Sequence, residues 1–273
     1  MGTGSIAWDR HRMLVLAPHA DDETIGCGGL IAKVKSAGGK VFVIVATIGD
    51  LSQYGVARAG NAARHRAVSA AGKKGPRVRT APRAGEANGE RSQTMVSGAE
   101  RTKELDQAMR VLGVDGYEVL FTDPDTHLRL DAMPRRDLIA QIEREARYSI
   151  DKIEPTVLVL PETSYNQDHE VLFKAGFAAC RPHLSSQKPF VQIVLACDAP
   201  QLGWNTRAFH PNFYVDITPY LDAKLRAYAC HRSQLKAPPH HASLEHLERL
   251  ARLRGAEVSV GAAEAFRCLR LLA

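Results

Sequence analysis

The chain has 273 residues, 45% of them hydrophobic, which is ample for the buried core of one large α/β domain. No stretch approaches the roughly 18 consecutive apolar residues of a membrane-spanning helix, and the N-terminal residues lack the pattern of a signal peptide. The five cysteines form no CxxC pair, which argues against a disulfide framework or a thiolate zinc site. We therefore expect a soluble, cytoplasmic protein whose metal ligands, if it binds a metal, are His and carboxylate side chains.

The positive charge is concentrated in one segment. Residues 57–91 carry nine Arg and Lys against two Glu, a net charge of +7, whereas the whole chain carries +6. Because the segment has almost no large apolar residue, the sequence predicts a flexible basic insertion within a single domain that spans residues 1–273. A nucleic-acid-binding role is a competing hypothesis. The segment lacks the interleaved aromatic residues typical of single-strand binding, so we expect no nucleic-acid partner.

Apolar runs alternate with helical patterns along the chain. Buried strands are predicted at residues 13–17, 41–46, 117–121, 156–160 and 190–197. Helices are predicted at residues 25–34, 101–112, 135–150, 170–180, 218–229 and 243–254. The C-terminal part is expected to wrap onto the core. Strands that are apolar throughout and alternate with helices indicate an α/β fold of the Rossmann-like, doubly wound type, with a mainly parallel sheet and helices on both faces.

Two polar loops follow predicted strands. The first reads PHADDE (residues 18–23) and the second reads NQDHE (residues 166–170). A helix N-terminus favours carboxylates, so the aspartates of the first loop could act as helix caps alone. Because the carboxyl ends of parallel strands meet at one edge of the sheet, the two loops are instead expected to converge. Two His and one Asp would then form the three-ligand arrangement of catalytic zinc.

The segment APHADDETIGCGG resembles the AHPDDE signature of the PIG-L or LmbE-like deacetylases, and NQDHE is similar to their HPDH motif. The likeness covers most of the chain. It implies a Zn²⁺-dependent N-deacetylase in which the metal is held by His19, Asp22 and His169, while Asp21 is the general base.

The same resemblance assigns roles to three further residues. Arg101 and Asp123 fall where the family has substrate-contacting residues, although each could be an ordinary surface ion pair. Asp168 is expected to orient an imidazole from behind the ligand set, with a solvated loop carboxylate as the alternative.

Asn166 departs from the family pattern, because it stands in place of the first His of HPDH. An Asn amide can donate a hydrogen bond but cannot act as an acid near pH 7. Either another group returns the proton to the leaving amine, with His231 and Tyr165 as the candidates, or the reaction depends less on that step. For an isolated residue such as His231, a structural role is the more common one.

The resemblance implies that the substrate is a small glycoconjugate with an N-acetylglucosaminyl group. An amidase that acts on thiol conjugates with the same metal site is the related alternative, and a sugar-binding protein without activity is a further one. Trp204 lies in a long segment that could form the rim of an open site, where it would stack on a large substrate or pack within the fold.

Overall fold

The computed structural model describes residues 6–52, 95–200, 204–205 and 208–272. Its strands are β1 (Arg12–His19), β2 (Lys40–Thr47), β3 (Leu51–Ser52), β4 (Met95–Val96), β5 (Gly116–Phe121), β6 (Val157–Pro161), β7 (Ile193–Cys197), β8 (Phe213–Asp216) and β9 (Ala263–Leu271). Its α-helices are α1 (Asp22–Ala37), α2 (Gly98–Leu112), α3 (Arg135–Ala140), α4 (Ile150–Ile153), α5 (Gln167–Ala179), α6 (Leu221–Ala229) and α7 (Leu244–Glu257). The basic insertion predicted at residues 57–91 lies outside the described residues.

Seven strands form one sheet in the order β5-β2-β1-β6-β7-β9-β8. The first five are mutually parallel, and β9 is antiparallel to both of its neighbours. Side chains of β1 alternate between two hydrophobic clusters, with Met13 and Val15 in one and Leu14 and Leu16 in the other. Helices α1, α2, α6 and α7 contribute to the first cluster, whereas α3, α4 and α5 contribute to the second. The predicted Rossmann-like fold is therefore confirmed.

The structure differs from the prediction in two places. The helix predicted at residues 135–150 is divided into α3, a π-helical turn at Gln141–Glu145 and α4. Where the helix is interrupted, the N–H groups of Arg147 and Tyr148 donate to the carboxylate of Glu118 on β5, at 3.1 and 2.7 Å. The C-terminal part also supplies two strands, β8 and β9, and thereby extends the sheet instead of only covering it.

The chain divides into two compact units, one of which comprises residues 50–96. The described residues of this unit form the short antiparallel pair of β3 and β4, in which Leu51 lies opposite Val96 and Ser52 opposite Met95. Throughout the described parts of both units, no helix combines the length and the apolar character needed to cross a membrane.

Helix α1 is broken at Cys27, which has the non-helical angles φ −148° and ψ 23°. The N–H groups of residues 29–30 donate instead to the Glu264 carboxylate at 2.8 and 2.7 Å. On the other side of the break, the carbonyl oxygen of Ile25 accepts from Lys224 Nζ at 2.7 Å. Lys224 and Glu264 also form an ion pair whose side chains are only 3% and 4% exposed. The buried pair thus satisfies backbone groups that an unbroken helix would satisfy itself.

Glycines allow other elements to approach this break closely. A Cβ atom on Gly26 would lie 2.4 Å from the Sγ atom of Cys197, and one on Gly29 would lie 2.7 Å from Ile217. These contacts explain why the glycines of GCGG lie inside the helix rather than in a turn before it.

Substituting Glu264 by Leu is expected to destabilise the fold by about 3–5 kcal/mol, because it leaves the buried Lys224 charge unpaired and two backbone N–H groups without an acceptor. Urea unfolding followed by circular dichroism measures this loss. The matched control is Glu245→Leu, which removes an exposed ion pair with Arg249 on α7 and should cost less than about 1 kcal/mol. Similar losses in both variants would contradict the structural role given to the buried pair.

Candidate active site

The two predicted loops meet at the carboxyl edge of the sheet, between β1 and β6. These strands pair in parallel with Met13 opposite Val157 and Val15 opposite Val159. Strand order reverses at this pair, since β2 and β5 continue the sheet on one side and β6 and β7 on the other. The crevice at such a reversal is where open parallel sheets bind ligands.

Three side chains from these loops form a possible metal site. The Oδ2 atom of Asp22 lies 3.2 Å from His19 Nδ1 and 3.4 Å from His169 Nε2. All three candidate ligand atoms lie within 4.8 Å of one another. Tetrahedral zinc, with bonds of about 2.0–2.1 Å, places neighbouring ligand atoms roughly 3.3–3.4 Å apart. The donor types and spacing therefore fit a divalent metal ion.

Electrostatics at the three side chains also favour a cation. Burial lowers the pKa of His19, but hydrogen bonds to Asp168 and Asp22 outweigh it and raise the pKa to about 9. Burial likewise tends to raise the pKa of Asp22, but the charges of and hydrogen bonds to His169 and His19 hold this pKa well below its usual range. The carboxylates thus favour a positive charge at His19. A bound metal ion can supply this charge in place of a proton.

Asp168 lies behind His19, on the side of the ring away from Asp22. Its Oδ2 atom is 3.0 Å from His19 Nε2, while its Oδ1 atom accepts the N–H of Leu130 at 3.0 Å. The side chain is fully buried. If Nε2 donates to this carboxylate, the lone pair of Nδ1 is left for a metal. The predicted role of orienting an imidazole thus fits the geometry better than that of a solvated loop residue.

Asp21 occupies the N-cap position of α1, but its side chain makes no capping hydrogen bond. Its φ of 139° is in a region that disfavours side chains, and strained backbone of this kind is concentrated at functional sites. Burial and the charge of Asp22 raise the pKa of Asp21 to about 7. The simple capping interpretation of this residue is therefore not supported.

His231 reaches the first loop through Glu23. Its Nε2 atom lies 3.0 Å from Glu23 Oε1, and both side chains are almost completely buried. The other oxygen of Glu23 accepts the N–H of Asp21 at 3.0 Å. Burial lowers the pKa of His231, but the hydrogen bond to Glu23 outweighs it and raises that pKa. Because Nε2 is engaged, the arrangement favours holding the Asp21 loop over proton transfer to a substrate.

Asn166 begins α5 as its N-cap residue. Its Oδ1 atom accepts the N–H of Asp168 at 2.9 Å, which leaves the amide NH₂ group as a possible hydrogen-bond donor. The side chain is half-buried. The substitution of His by Asn thus keeps a donor at the start of the helix that carries His169.

Tyr165 and Trp204 form an exposed aromatic pair beside Asn166. Their ring centroids are 5.0 Å apart at 63°, and their exposed fractions are 54% and 77%. The adjacent Asn205 donates from Nδ2 to the carbonyl oxygen of Thr163 at 2.7 Å. Trp204 thus contacts the second loop and is not packed within the core.

Arg101 is buried and contacts a histidine that sequence reasoning missed. Its Nη1 atom donates to the carbonyl oxygen of Gly49 at 3.3 Å and lies 3.1 Å from His127 Nε2. The ring of His127 is edge-on to that of His19, with centroids 5.9 Å apart. The sequence signal available for His127 was its position after a strand that ends at the same edge.

Asp123 is exposed, and its carboxylate is used within its own turn. The Oδ1 atom accepts both the N–H and the hydroxyl of Thr126 at 2.8 Å. Its carbonyl oxygen accepts the N–H of His127 at 3.3 Å. The contacts show Asp123 shaping the turn that leads to His127, and its predicted contact with substrate stays a prediction.

The sequence likeness to known proteins includes both loops. Residues 14–180, more than half of the chain, match the model of the PIG-L family, described as GlcNAc-PI de-N-acetylase. The chain belongs to the PIG-L family. It is accordingly a hydrolase of the N-deacetylase type, and metal dependence is typical of PIG-L enzymes. No curated protein sequence matches the chain.

Three solved structures show how widely the fold of this PIG-L protein is shared. An N,N'-diacetylchitobiose deacetylase from Pyrococcus horikoshii is 21% identical, covering 96% of this chain and 85% of that one with a TM-score of 0.61. A 4-carboxy-2-hydroxymuconate hydratase from Pseudomonas putida is 17% identical, with coverage of 97% and 98% and a TM-score of 0.64. A deacetylase of teicoplanin biosynthesis is 18% identical, with coverage of 94% and 97% and a TM-score of 0.61. At these identities the likeness shows the fold alone.

Substituting Asp168 by Asn is expected to weaken zinc binding by about 10–100-fold, because the neutral amide holds the His19 ring less firmly and lowers its basicity. Competition with a chromophoric zinc chelator measures the affinity. Asp151→Asn, which changes an exposed carboxylate on α4, is the control and should leave the affinity unchanged. Equal zinc affinity in the two variants would rule out the orienting role.

Proposed function

We propose that the chain is a zinc-dependent deacetylase that hydrolyses the N-acetyl group of an N-acetylglucosaminyl unit and releases acetate and the free amino sugar. The observation that carries this proposal is the convergence of His19, Asp22 and His169 at the strand-order reversal of a PIG-L fold. Zinc held by these three residues would supply Lewis-acid chemistry at the amide carbonyl.

The residues around the metal ligands have complementary tasks. Asp21 accepts the proton of the attacking water and returns it to the leaving amine, since Asn166 cannot act as an acid. The amide of Asn166 donates a hydrogen bond to the oxygen that becomes negative during the reaction. Glu23 and His231 hold the backbone of the Asp21 loop. Water and amide are thus converted to acetate and amine without a separate acid.

Substituting Asp21 by Asn is expected to lower the rate of acetate release from N-acetylglucosaminyl compounds by about 10²–10⁴-fold, because the proton acceptor is lost. A chelator should also abolish activity, and added zinc should restore it. Asp222→Asn, which changes an exposed residue of α6, is the control.

The outcome of this assay separates the competing hypotheses. A sugar-binding protein without activity would release no acetate in any form. Cleavage of thiol-conjugate amides without acetate release from glucosaminyl compounds would instead assign the related amidase activity. Acetate release that is insensitive to chelation and to Asp21→Asn would refute the proposed mechanism.

The exposed pair of Tyr165 and Trp204 supports a substrate with a large apolar part beyond the sugar. The pair adjoins Asn166 at the start of α5, so a bulky group could rest on it while the sugar reaches the metal site. We propose that this group is the peptide scaffold of a teicoplanin-type glycopeptide antibiotic, as an N-acetylglucosaminyl pseudoaglycone.

Substituting Trp204 by Ala is expected to weaken binding of such a pseudoaglycone by about 2–10-fold, because one aromatic stacking contact is lost. Binding of free N-acetylglucosamine should be unchanged. Isothermal titration of the zinc-loaded Asp21→Asn protein measures both affinities without turnover. Leu253→Ala, which truncates another exposed apolar side chain on α7, is the control. Equal losses for the pseudoaglycone and the free sugar would count against the rim role.

A further inference from the structure

A buried chain of hydrogen bonds runs from Arg101 to the backbone beside His19. A guanidinium group has donors only, so the 3.1 Å contact makes His127 Nε2 an acceptor from Arg101 Nη1. The proton of the neutral imidazole is then on Nδ1, which donates to Thr47 Oγ1 at 3.1 Å. The Thr47 hydroxyl in turn donates to the carbonyl oxygen of Pro18 at 3.4 Å. Because the Arg101 guanidinium can only donate, it fixes which atom is the donor and which the acceptor in each of these hydrogen bonds.

The Nε–H group of Arg101, unlike Nη1, lacks a hydrogen-bond acceptor among the described residues. Arg101 is only 2% exposed, and within the described parts of the chain its Nε atom is buried without a hydrogen-bond partner. A buried donor without an acceptor destabilises the folded protein. A substrate oxygen that accepts a hydrogen bond from Nε would remove this destabilisation when the substrate binds.

Neighbouring charges would pull Arg101 away from this orientation. Burial lowers the pKa of Arg101, and the charges that oppose this effect most strongly are those of Asp21 and Asp22. A mobile guanidinium would pair with these carboxylates and neutralise the proton acceptor of the reaction. The acceptors on Gly49 and His127 hold Nη1 in place instead.

We propose that His127 and Thr47 are positioning residues, which hold Arg101 so that its Nε–H group donates to an oxygen of the substrate. This inference rests on the proposed deacetylase function. Gly49 is part of the same arrangement, because a Cβ atom there would lie 2.6 Å from the His127 ring. The arrangement therefore requires glycine at the position that also supplies a carbonyl oxygen to Arg101.

Kinetics of the zinc-loaded enzyme test the proposal. His127→Leu is expected to lower kcat for acetate release by about 10²-fold, the effect of a misplaced group at a reacting centre, while zinc affinity stays within about 3-fold. His127→Gln should recover most of the activity, because its amide oxygen can accept from Arg101. Thr47→Val should cause a smaller loss than His127→Leu, and Thr47→Ser, which keeps the hydroxyl group, should recover most of the activity lost in Thr47→Val.

A double-mutant cycle shows whether His127 acts through Arg101. In an Arg101→Lys background, His127→Leu should lower kcat by less than about 3-fold, because the group that it positions is already gone. A full additional loss in this background, or a fall in zinc affinity instead of kcat, would overturn the proposal.

A similar His–Thr pair, at the residues that precede β1 and β6, provides the control. His11 Nδ1 lies 2.9 Å from Thr156 Oγ1, and Thr156 precedes the first residue of β6, at the opposite edge from the site. Thr156→Val therefore removes a His–Thr hydrogen bond without touching the proposed chain and should leave kcat unchanged. A loss equal to that of Thr47→Val would contradict the inference.

A second measurement does not depend on activity. Nitrogen-15 NMR of the histidine rings in the zinc-loaded protein should show His127 protonated at Nδ1 and unprotonated at Nε2. Thr47→Val should change this signal, whereas Thr156→Val should not. If the wild type releases no acetate from any sugar, the proposed function fails while this result still stands. Protonation of His127 at Nε2 would refute the positioning role itself.

Discussion

Parallel pairing of β1 with β6 is the constraint on which the candidate site depends. Val15 and Val159 are 144 positions apart in sequence, yet they lie directly opposite each other. Both chains consequently leave the sheet at the same edge, where the loop with Asp22 faces the helix with His169. No contact within either loop alone could assemble two imidazoles and a carboxylate at this spacing. The pairing is stabilised by side chains that are buried on both faces, so the geometry of the site is tied to the close-packed core.

Around this edge, two parts of the candidate site are held by buried partners from distant parts of the chain. Asp168 holds His19, and the pair of Glu23 and His231 holds the Asp21 loop. These partners lie 149 and 208 residues from the residues they contact. These contacts offset the repulsion between the carboxylates of the first loop and the strain of its backbone at Asp21. Preorganisation of this kind removes the need to reorganise charges when the substrate arrives.

Sequence reasoning predicts the parallel half of the fold well, because fully buried strands such as β1 and β6 are continuous apolar runs. It misses β9, whose residues Glu264 and Arg267 interrupt the apolar pattern and form ion pairs with distant residues, Lys224 and Glu162. The same limit applies to the site. The resemblance of two motifs to those of the PIG-L family brings forward the three metal-ligand candidates, whereas His127 comes to notice only through its contacts with residues that are distant in sequence, Thr47 and Arg101. Long-range hydrogen bonds leave no local periodicity to detect.

The buried ion pair that bridges the break in α1 has a consequence for the order in which the protein is made. Glu264 accepts from the backbone of Gly29, yet it is polymerised 235 residues later. On the ribosome, His19 of the first strand is therefore synthesised long before the carboxylate that completes the first helix. The backbone at the break therefore gains this acceptor only once residue 264 has been synthesised, so the first helix is completed together with β9 and not with the strands that flank it in sequence.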